Sequence, residues 1–240
     1  MADRAAIVTG ASRGIGRAIA EVLGEEGYGL TTSARKPEGL EATAAEFRDK
    51  GWEVEAVPAN MADEDAIKAV VERHRERFGR LDVLVNSAGV GVGAAVDGHQ
   101  TKFVDMQLAV NVRAIVLFYR ECAEMLRAAG AEHRNALVIN MSSISGKYGQ
   151  AWLSVYSATK AAVVGYTQAM NKELNSEGIK SVAFCPGFVD TDMTEFIKGT
   201  ISADDMMTTN DIAEAVRFVL RLSPACVVPE IMFQRPGEAM

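Results

Sequence analysis

Tyr156 and Lys160 stand four residues apart in the run YSATK. A phenol of pKa about 10 is a poor proton donor or acceptor at neutral pH unless its surroundings change it. On a helix, positions i and i+4 share a face, so the Lys160 ammonium would lie near the Tyr156 oxygen and favour the phenolate. That is the chemistry of a tuned acid/base. The pair alone does not decide the matter, because Tyr and Lys at this spacing also decorate solvated helix faces.

A second group of residues raises the stakes. The first apolar run, AAIVT, passes into TGASRGIGRAIAEVLGEEG, which sets Gly10, Gly14 and Gly16 across a strand-to-helix turn. Glycines there allow tight turning and let phosphates approach amides at a helix N-terminus, where the helix dipole favours anions. The motif follows a strand pattern, opens an amphipathic helix and starts a long βαβ series, which is the context a dinucleotide site requires. At the end of the second strand pattern the chain reads TSARK. An acidic residue there would bond a ribose 2′-hydroxyl, whereas Arg35, with Lys36 and with Arg13 from the glycine turn, can clamp a 2′-phosphate. NADP(H) is therefore expected over NAD(H), unless these are simply surface cations.

The elements that must hold these residues are legible as rhythm. AAIVT, YGLTTSA, WEVEAVPA, LDVLVNSA, NALVINMS, IKSVAFC and CVVPEIMF alternate with amphipathic segments. Such alternation predicts an α/β fold, a doubly wound Rossmann-type sheet, mostly parallel, with helices on both faces. Unbroken apolar stretches such as Val83 to Val85 and Leu137 to Ile139 suit strands covered on both sides. Neither a linker nor a repeat divides the 240 residues, so a single domain over 1–240 is expected.

Composition limits the function classes. The chain is 48% hydrophobic and 24% charged, and no apolar run approaches the roughly 20 residues of a membrane span. With no secretory pattern at the start, a soluble, cytoplasmic protein is expected. Cys122, Cys185 and Cys226 are far apart and sit among apolar residues, and His74, His99 and His133 are equally dispersed, so neither a disulfide nor a metal site is predicted. A formal charge of −7 argues against nucleic acid and anionic membranes as partners. LAVNVRAIVLFY and the segment from Ser157 to Met170 carry apolar or small residues around much of the helix circumference. A lone surface helix shows one stripe, so the surplus predicts a homodimer or homotetramer, although deeper insertion in the monomer would look the same.

Taken together, TGASRGIG, NSAG at 86–89, Asn111, Ser143, YSATK and PGFVDTDMT, in this order, resemble the short-chain dehydrogenase/reductase family over nearly the whole chain. The spacing is specific: Ser143 precedes Tyr156 by thirteen residues. The resemblance implies a sheet of about seven strands with the substrate site outside their carboxyl ends. It implies Tyr156 as catalytic acid/base, Lys160 as the group that lowers its pKa and bonds the nicotinamide ribose, Ser143 as the donor that orients the carbonyl, and Asn111 as the holder of a relay water. For the cofactor it implies Gly10, Ser12, Arg13, Gly14, Ile15 and Gly16 around the phosphates and Asn86, Ala88 and Gly89 along the ribose and the middle of the molecule. Val189 and Thr191 would meet the carboxamide, and Pro186 and Gly187 would shape that turn of the cofactor site. Asn60 and Met61 stand where the family often has an adenine-binding Asp, and Ser87 where it has a second Asn.

The substrate is less legible. PGFVDTDMT is similar to the same element of bacterial 3-oxoacyl-acyl-carrier-protein reductases, which points to a 3-oxoacyl thioester, with a general ketone or xenobiotic carbonyl as the alternative and a non-catalytic dinucleotide sensor as a remote one. A lid is expected at about 193–209, where Phe196, Ile197, Ile201, Met206 and Met207 would cover an apolar substrate. Val90, Val92, Tyr148, Gln150, Trp152 and Phe188 are candidates for the pocket, and Lys172 and Arg134 for an acidic carrier protein. The ending VVPEIMFQRPGEAM departs from the glycine-rich terminus common among those reductases.

Overall fold

The computed structural model describes residues 2–237. The seven strands are β1 (Ala5–Thr9), β2 (Gly29–Ala34), β3 (Val54–Pro58), β4 (Val83–Asn86), β5 (Ala136–Met141), β6 (Ile179–Pro186) and β7 (Glu230–Phe233). The helices are α1 (Gly14–Glu25), α2 (Pro37–Asp49), α3 (Glu64–Phe78), α4 (Thr101–Leu108), α5 (Ala114–His133), α6 (Ser154–Leu174) and α7 (Thr209–Leu220). Strand order is β3-β2-β1-β4-β5-β6-β7, and every neighbouring pair is parallel. The chain winds outward from β1 to β3 and then returns to place β4 on the other side of β1. That reversal opens a crevice at the carboxyl ends of β1 and β4, where doubly wound sheets bind ligands.

The apolar strands are divided between two cores by the period-2 alternation of side chains. Ala6, Val8, Val83, Val85, Leu137 and Ile139 face α1, α2 and α7, whereas Ile7, Leu84 and Val138 face α3, α5 and α6. Phe47, Phe118 and Phe184 are wholly buried, each worth roughly 1.5–3 kcal/mol of transfer free energy. Helix ends are specified locally. Asp63 accepts from the Asp65 amide to start α3, Gly79 at φ 67° ends it, and a reciprocal Thr208–Asp211 capping box starts α7.

Two expectations change. The run CVVPEIMF forms a strand only from Glu230, because Pro229 has no amide to give to a ladder; its carbonyl instead accepts from the Ala183 amide at 3.0 Å. The run LAVNVRAIVLFY is not one regular α-helix, since Ala109–Arg113 forms a π-helical turn between α4 and α5. This turn rotates the buried face, so much of the surplus apolarity there is internal: Val110, Ala114, Ile115, Leu117 and Phe118 are all buried. Among the described residues no helix is long and apolar enough to cross a membrane.

Candidate active site

The glycine turn is built at backbone contact. Gly10 and Gly14 adopt φ of 68° and 57°, the left-handed region that a side chain resists. A Cβ on Gly10 would lie 3.0 Å from the Ala88 backbone, and one on Gly16 would collide with the Gly10 carbonyl. Thr9, at the end of β1, accepts both the Ser87 and the Ala88 amides on Oγ1 at 3.0 Å and thereby draws the NSAG loop against the turn. At the start of α1, the N-cap residue Arg13 makes no side-chain capping bond and the first turn carries no acid. An uncapped N-terminus of a twelve-residue helix, in a cradle closed to side chains, fits a pyrophosphate. The PGFVDTDMT element completes the rim: Thr191 Cγ2 lies 3.4 Å from where a Gly14 Cβ would be. Pro186 and Gly187 leave β6 there, with the Gly187 amide donating to Phe233 O at 2.9 Å, and Val189 is buried.

Ser143, Tyr156 and Lys160 meet beside this cradle. Ser143 follows β5, caps a short 3-10 turn by accepting the Ser145 amide at 3.1 Å, and donates to Pro186 O at 3.3 Å. Its hydroxyl also hydrogen-bonds the Tyr156 phenol. Burial pushes that phenol above its ordinary pKa, and the Ser143 bond opposes the push. Lys160 is 4% exposed; its Nζ lies 5.5 Å from the centroid of the Tyr156 ring and donates to Met141 O at 2.7 Å. Burial lowers its pKa to about 8, with the Cys185 sulfur opposing. The ammonium thus faces the Tyr156 ring, and desolvation is the largest influence on the phenol.

Asn111 occupies the π turn, an irregularity that recurs at functional sites. Its side chain is engaged with protein: Oδ1 accepts the Val90 amide at 2.9 Å, while Nδ2 donates to Val90 O at 2.9 Å and Thr159 Oγ1 at 3.0 Å. Both Nδ2 hydrogens are thus spent on protein, and one Oδ1 lone pair is left to accept from a water. A Cβ on Gly89 would lie 3.5 Å from Lys160 Nζ and 3.6 Å from Asn111 Oδ1, so Gly89 sits between these two residues.

Other expected contributors are dispersed. Arg13 is ion-paired with Asp192, at the start of the lid segment, and Arg35 is exposed beyond β2. Asn60 is exposed, and its Oδ1 accepts the Ala62 amide at 3.1 Å, which leaves Nδ2 and a second Oδ1 lone pair for another partner; the Met61 side chain is buried in the core. Asn86 donates to Asn140 Oδ1 at 2.9 Å and keeps its own Oδ1 buried without a partner. In the lid, Phe196 and Met193 are exposed, but Met206 is buried and Met207 packs on the core, because residues 189 and 207 form a bridge. Arg134 ends α5 and Lys172 lies near the end of α6, sixteen residues or roughly 24 Å along that helix from Tyr156. Both stand at the amino ends of the strands, away from the site, and do not suit a carrier delivering substrate. Sequence reasoning missed Thr9, Thr159 and Gln107, whose partners are mainly backbone, with Asn111 as the side-chain partner of Thr159, and leave no spacing signal.

A parallel seven-stranded sheet with a glycine cradle at its switch point and a Ser-Tyr-Lys cluster beside it defines a dinucleotide-binding α/β protein. Residues 4–201 match the family model described as short chain dehydrogenase, and the chain belongs to that family. It is 35% identical over 226 residues to the 3-oxoacyl-[acyl-carrier-protein] reductase FabG of Staphylococcus aureus, covering 90% of each chain. Among solved structures it is similar to a short chain dehydrogenase from Burkholderia cenocepacia in complex with NADP, at TM-score 0.85, 30% identity and 96% coverage of both chains. It is also similar to an alcohol dehydrogenase from Thermococcus sibiricus complexed with 5-hydroxy-NADP, at TM-score 0.87 and 28% identity, covering 98% of this chain and 99% of that one.

Proposed function

We propose that this chain is an NADPH-dependent carbonyl reductase that interconverts a ketone and a secondary alcohol, with a 3-oxoacyl thioester as its substrate. The observation that carries the reading is the Ser143–Tyr156 hydrogen bond above the buried Lys160, beside a phosphate cradle. NADPH supplies the hydride. The protein's part is to hold the carbonyl oxygen within reach of the Ser143 and Tyr156 hydroxyls and to give it the Tyr156 proton as negative charge develops. A neutral phenol kept neutral by burial is the right protonation state for that donation. Lys160, held by Met141 O, stabilises the phenolate that results, and Arg13 and Arg35 select the 2′-phosphorylated coenzyme. Similarity to the FabG reductase supports the thioester, since the pocket wall itself names no acyl chain.

The test is a spectrophotometric screen of acetoacetyl thioesters, diketones, quinones and steroids with both coenzymes. Thioester reduction with NADPH is expected; preference for quinones or steroids would reassign the substrate to general carbonyl reduction. Tyr156→Phe should cut turnover by about 100-fold or more while leaving NADPH binding intact. A variant keeping a tenth of wild-type turnover removes Tyr156 from the reaction.

The chain is also proposed to act as a homo-oligomer. Ala158, Ala161, Ala162, Gly165 and Ala169 form a continuous exposed stripe of small residues on α6, and Leu108 and Val116 are exposed near the π turn. A sedimenting monomer at micromolar concentration would overturn this.

A further inference from the structure

Gln107, the last residue but one of α4, is 1% exposed and spends its amide on one loop. Its Oε1 accepts the Val92 amide at 3.1 Å, and its Nε2 donates to Val92 O at 3.4 Å and to Phe103 O at 3.3 Å. Asn111 makes the same reciprocal pair with Val90. Two side-chain amides four residues apart thus stand in for a neighbouring strand, one rung on residue 90 and one on residue 92. The far end of the loop is tied by the Ala94 amide, which donates to Trp152 O at 2.8 Å. Trp152 holds φ 68°, a left-handed conformation costly for a bulky residue and kept only where the surroundings impose it.

What the rungs hold in place is the neighbour of Tyr156. Gly91 lies between them, and a Cβ there would be 3.3 Å from Tyr156 Cδ2. The 90–94 segment is therefore packed at Gly91 against the edge of the phenol ring. Gln107 itself has no hydrogen bond to Tyr156, Ser143 or Lys160; its influence passes through Val92. Removing its amide would leave the Val92 N–H and C=O without partners in a half-buried place, a cost the loop would escape by moving outward.

We propose that Gln107 is a positioning residue that fixes the height of the 90–94 segment over Tyr156 and so determines which face of the carbonyl is presented for reduction. The inference rests on the reading of Tyr156 as proton donor. Displacements of about 1 Å near reacting groups cost up to roughly 100-fold in rate, so the effect is measurable without loss of the fold.

The experiment compares wild type, Gln107→Met, which keeps the shape and removes the hydrogen bonds, and Gln107→Glu, which keeps only the acceptor for the Val92 amide. Amide hydrogen exchange over residues 90–94, NADPH binding by fluorescence, kcat and KM, and the enantiomeric ratio of the alcohol formed from a prochiral 3-oxo ester are read. Faster exchange at Val92, kcat/KM lower by about 10- to 100-fold, unchanged NADPH affinity and an enantiomeric ratio falling toward unity are expected for Gln107→Met, with Gln107→Glu intermediate. Faster exchange with unaltered kcat and enantiomeric ratio would reduce Gln107 to a structural role, and unaltered exchange would remove the two-rung arrangement itself. Turnover surviving in Tyr156→Phe would instead remove the reading on which the inference rests, and is recognised independently of either variant.

Discussion

On the cofactor side of the crevice, main chain meets main chain: Gly10 approaches Ala88, Gly16 approaches the Gly10 carbonyl, and Thr9 gathers the NSAG amides. On the substrate side, an irregular loop is held by side-chain amides from Gln107 and Asn111, a left-handed Trp152 closes it, and Phe196 and Met193 stand exposed in the lid. The first wall admits almost no change in residue size, because its atoms are already in contact. The second is fastened at a few points and otherwise open, which is how one scaffold keeps a fixed coenzyme and changes its substrate.

The contrast can be broken first at its tightest point. Gly16→Val adds atoms against the Gly10 carbonyl, so a loss of 3 kcal/mol or more, about, in unfolding free energy and a collapse of NADPH binding are expected by denaturant titration and fluorescence. A well-folded variant with near-wild-type affinity would show that the cradle yields.

The next largest effect belongs to Lys160. Its folded pKa of about 8 lies below that of an unfolded lysine, so burying the ammonium costs stability in full below pH 8, and the cost fades as pH rises toward about 10.5. Lys160→Met should escape a desolvation cost on the order of 3 kcal/mol at pH 7 while losing the bond to Met141 O, and its stability relative to wild type should fall as pH rises through that window. A difference independent of pH would mean that folding does not lower the pKa of Lys160. Lower on the scale, Arg35→Asp should raise KM for NADPH by about 10- to 100-fold and alter NADH little, by initial-rate kinetics. Equal changes for the two coenzymes would take the 2′-phosphate away from Arg35. The smallest effect is at Gly149 on the substrate side, where a Cβ meets nothing within 4 Å. Gly149→Ala should leave Tm and stability within about 0.5 kcal/mol, the counterpart of Gly16 that sharpens the comparison.

The same division explains what could be read in the sequence. Backbone-to-backbone packing demands glycine, so the cradle was visible in TGASRGIG, and unbroken apolar strand runs separated by amphipathic segments foretold the parallel sheet. The substrate wall uses residues with no distinctive spacing. Gln107 reads as one polar position in FVDMQLAV, and its partner lies fifteen residues away in a loop. The π turn was illegible because five residues with ordinary helical propensity can close either kind of turn, and tertiary contacts choose. Assigning Lys160 to the tyrosine's tuning followed from its spacing, but the height at which Met141 O holds the ammonium depends on where β5 ends. The lid range held apolar residues as read, yet Met206 turned inward because the 189–207 bridge ties its neighbour to the core.

The unusual setting of Trp152 also makes the molecule its own optical probe. There are two indoles in the chain. Trp52 packs in the core, 5.2 Å from the Phe47 ring and over Gly24, whereas Trp152 is 72% exposed beside the loop that meets Tyr156. With Trp52 replaced by Phe, the remaining emitter would sit at the site entrance, so quenching, spectral shift and energy transfer to the reduced coenzyme would report loop and lid movement in real time, with no attached dye.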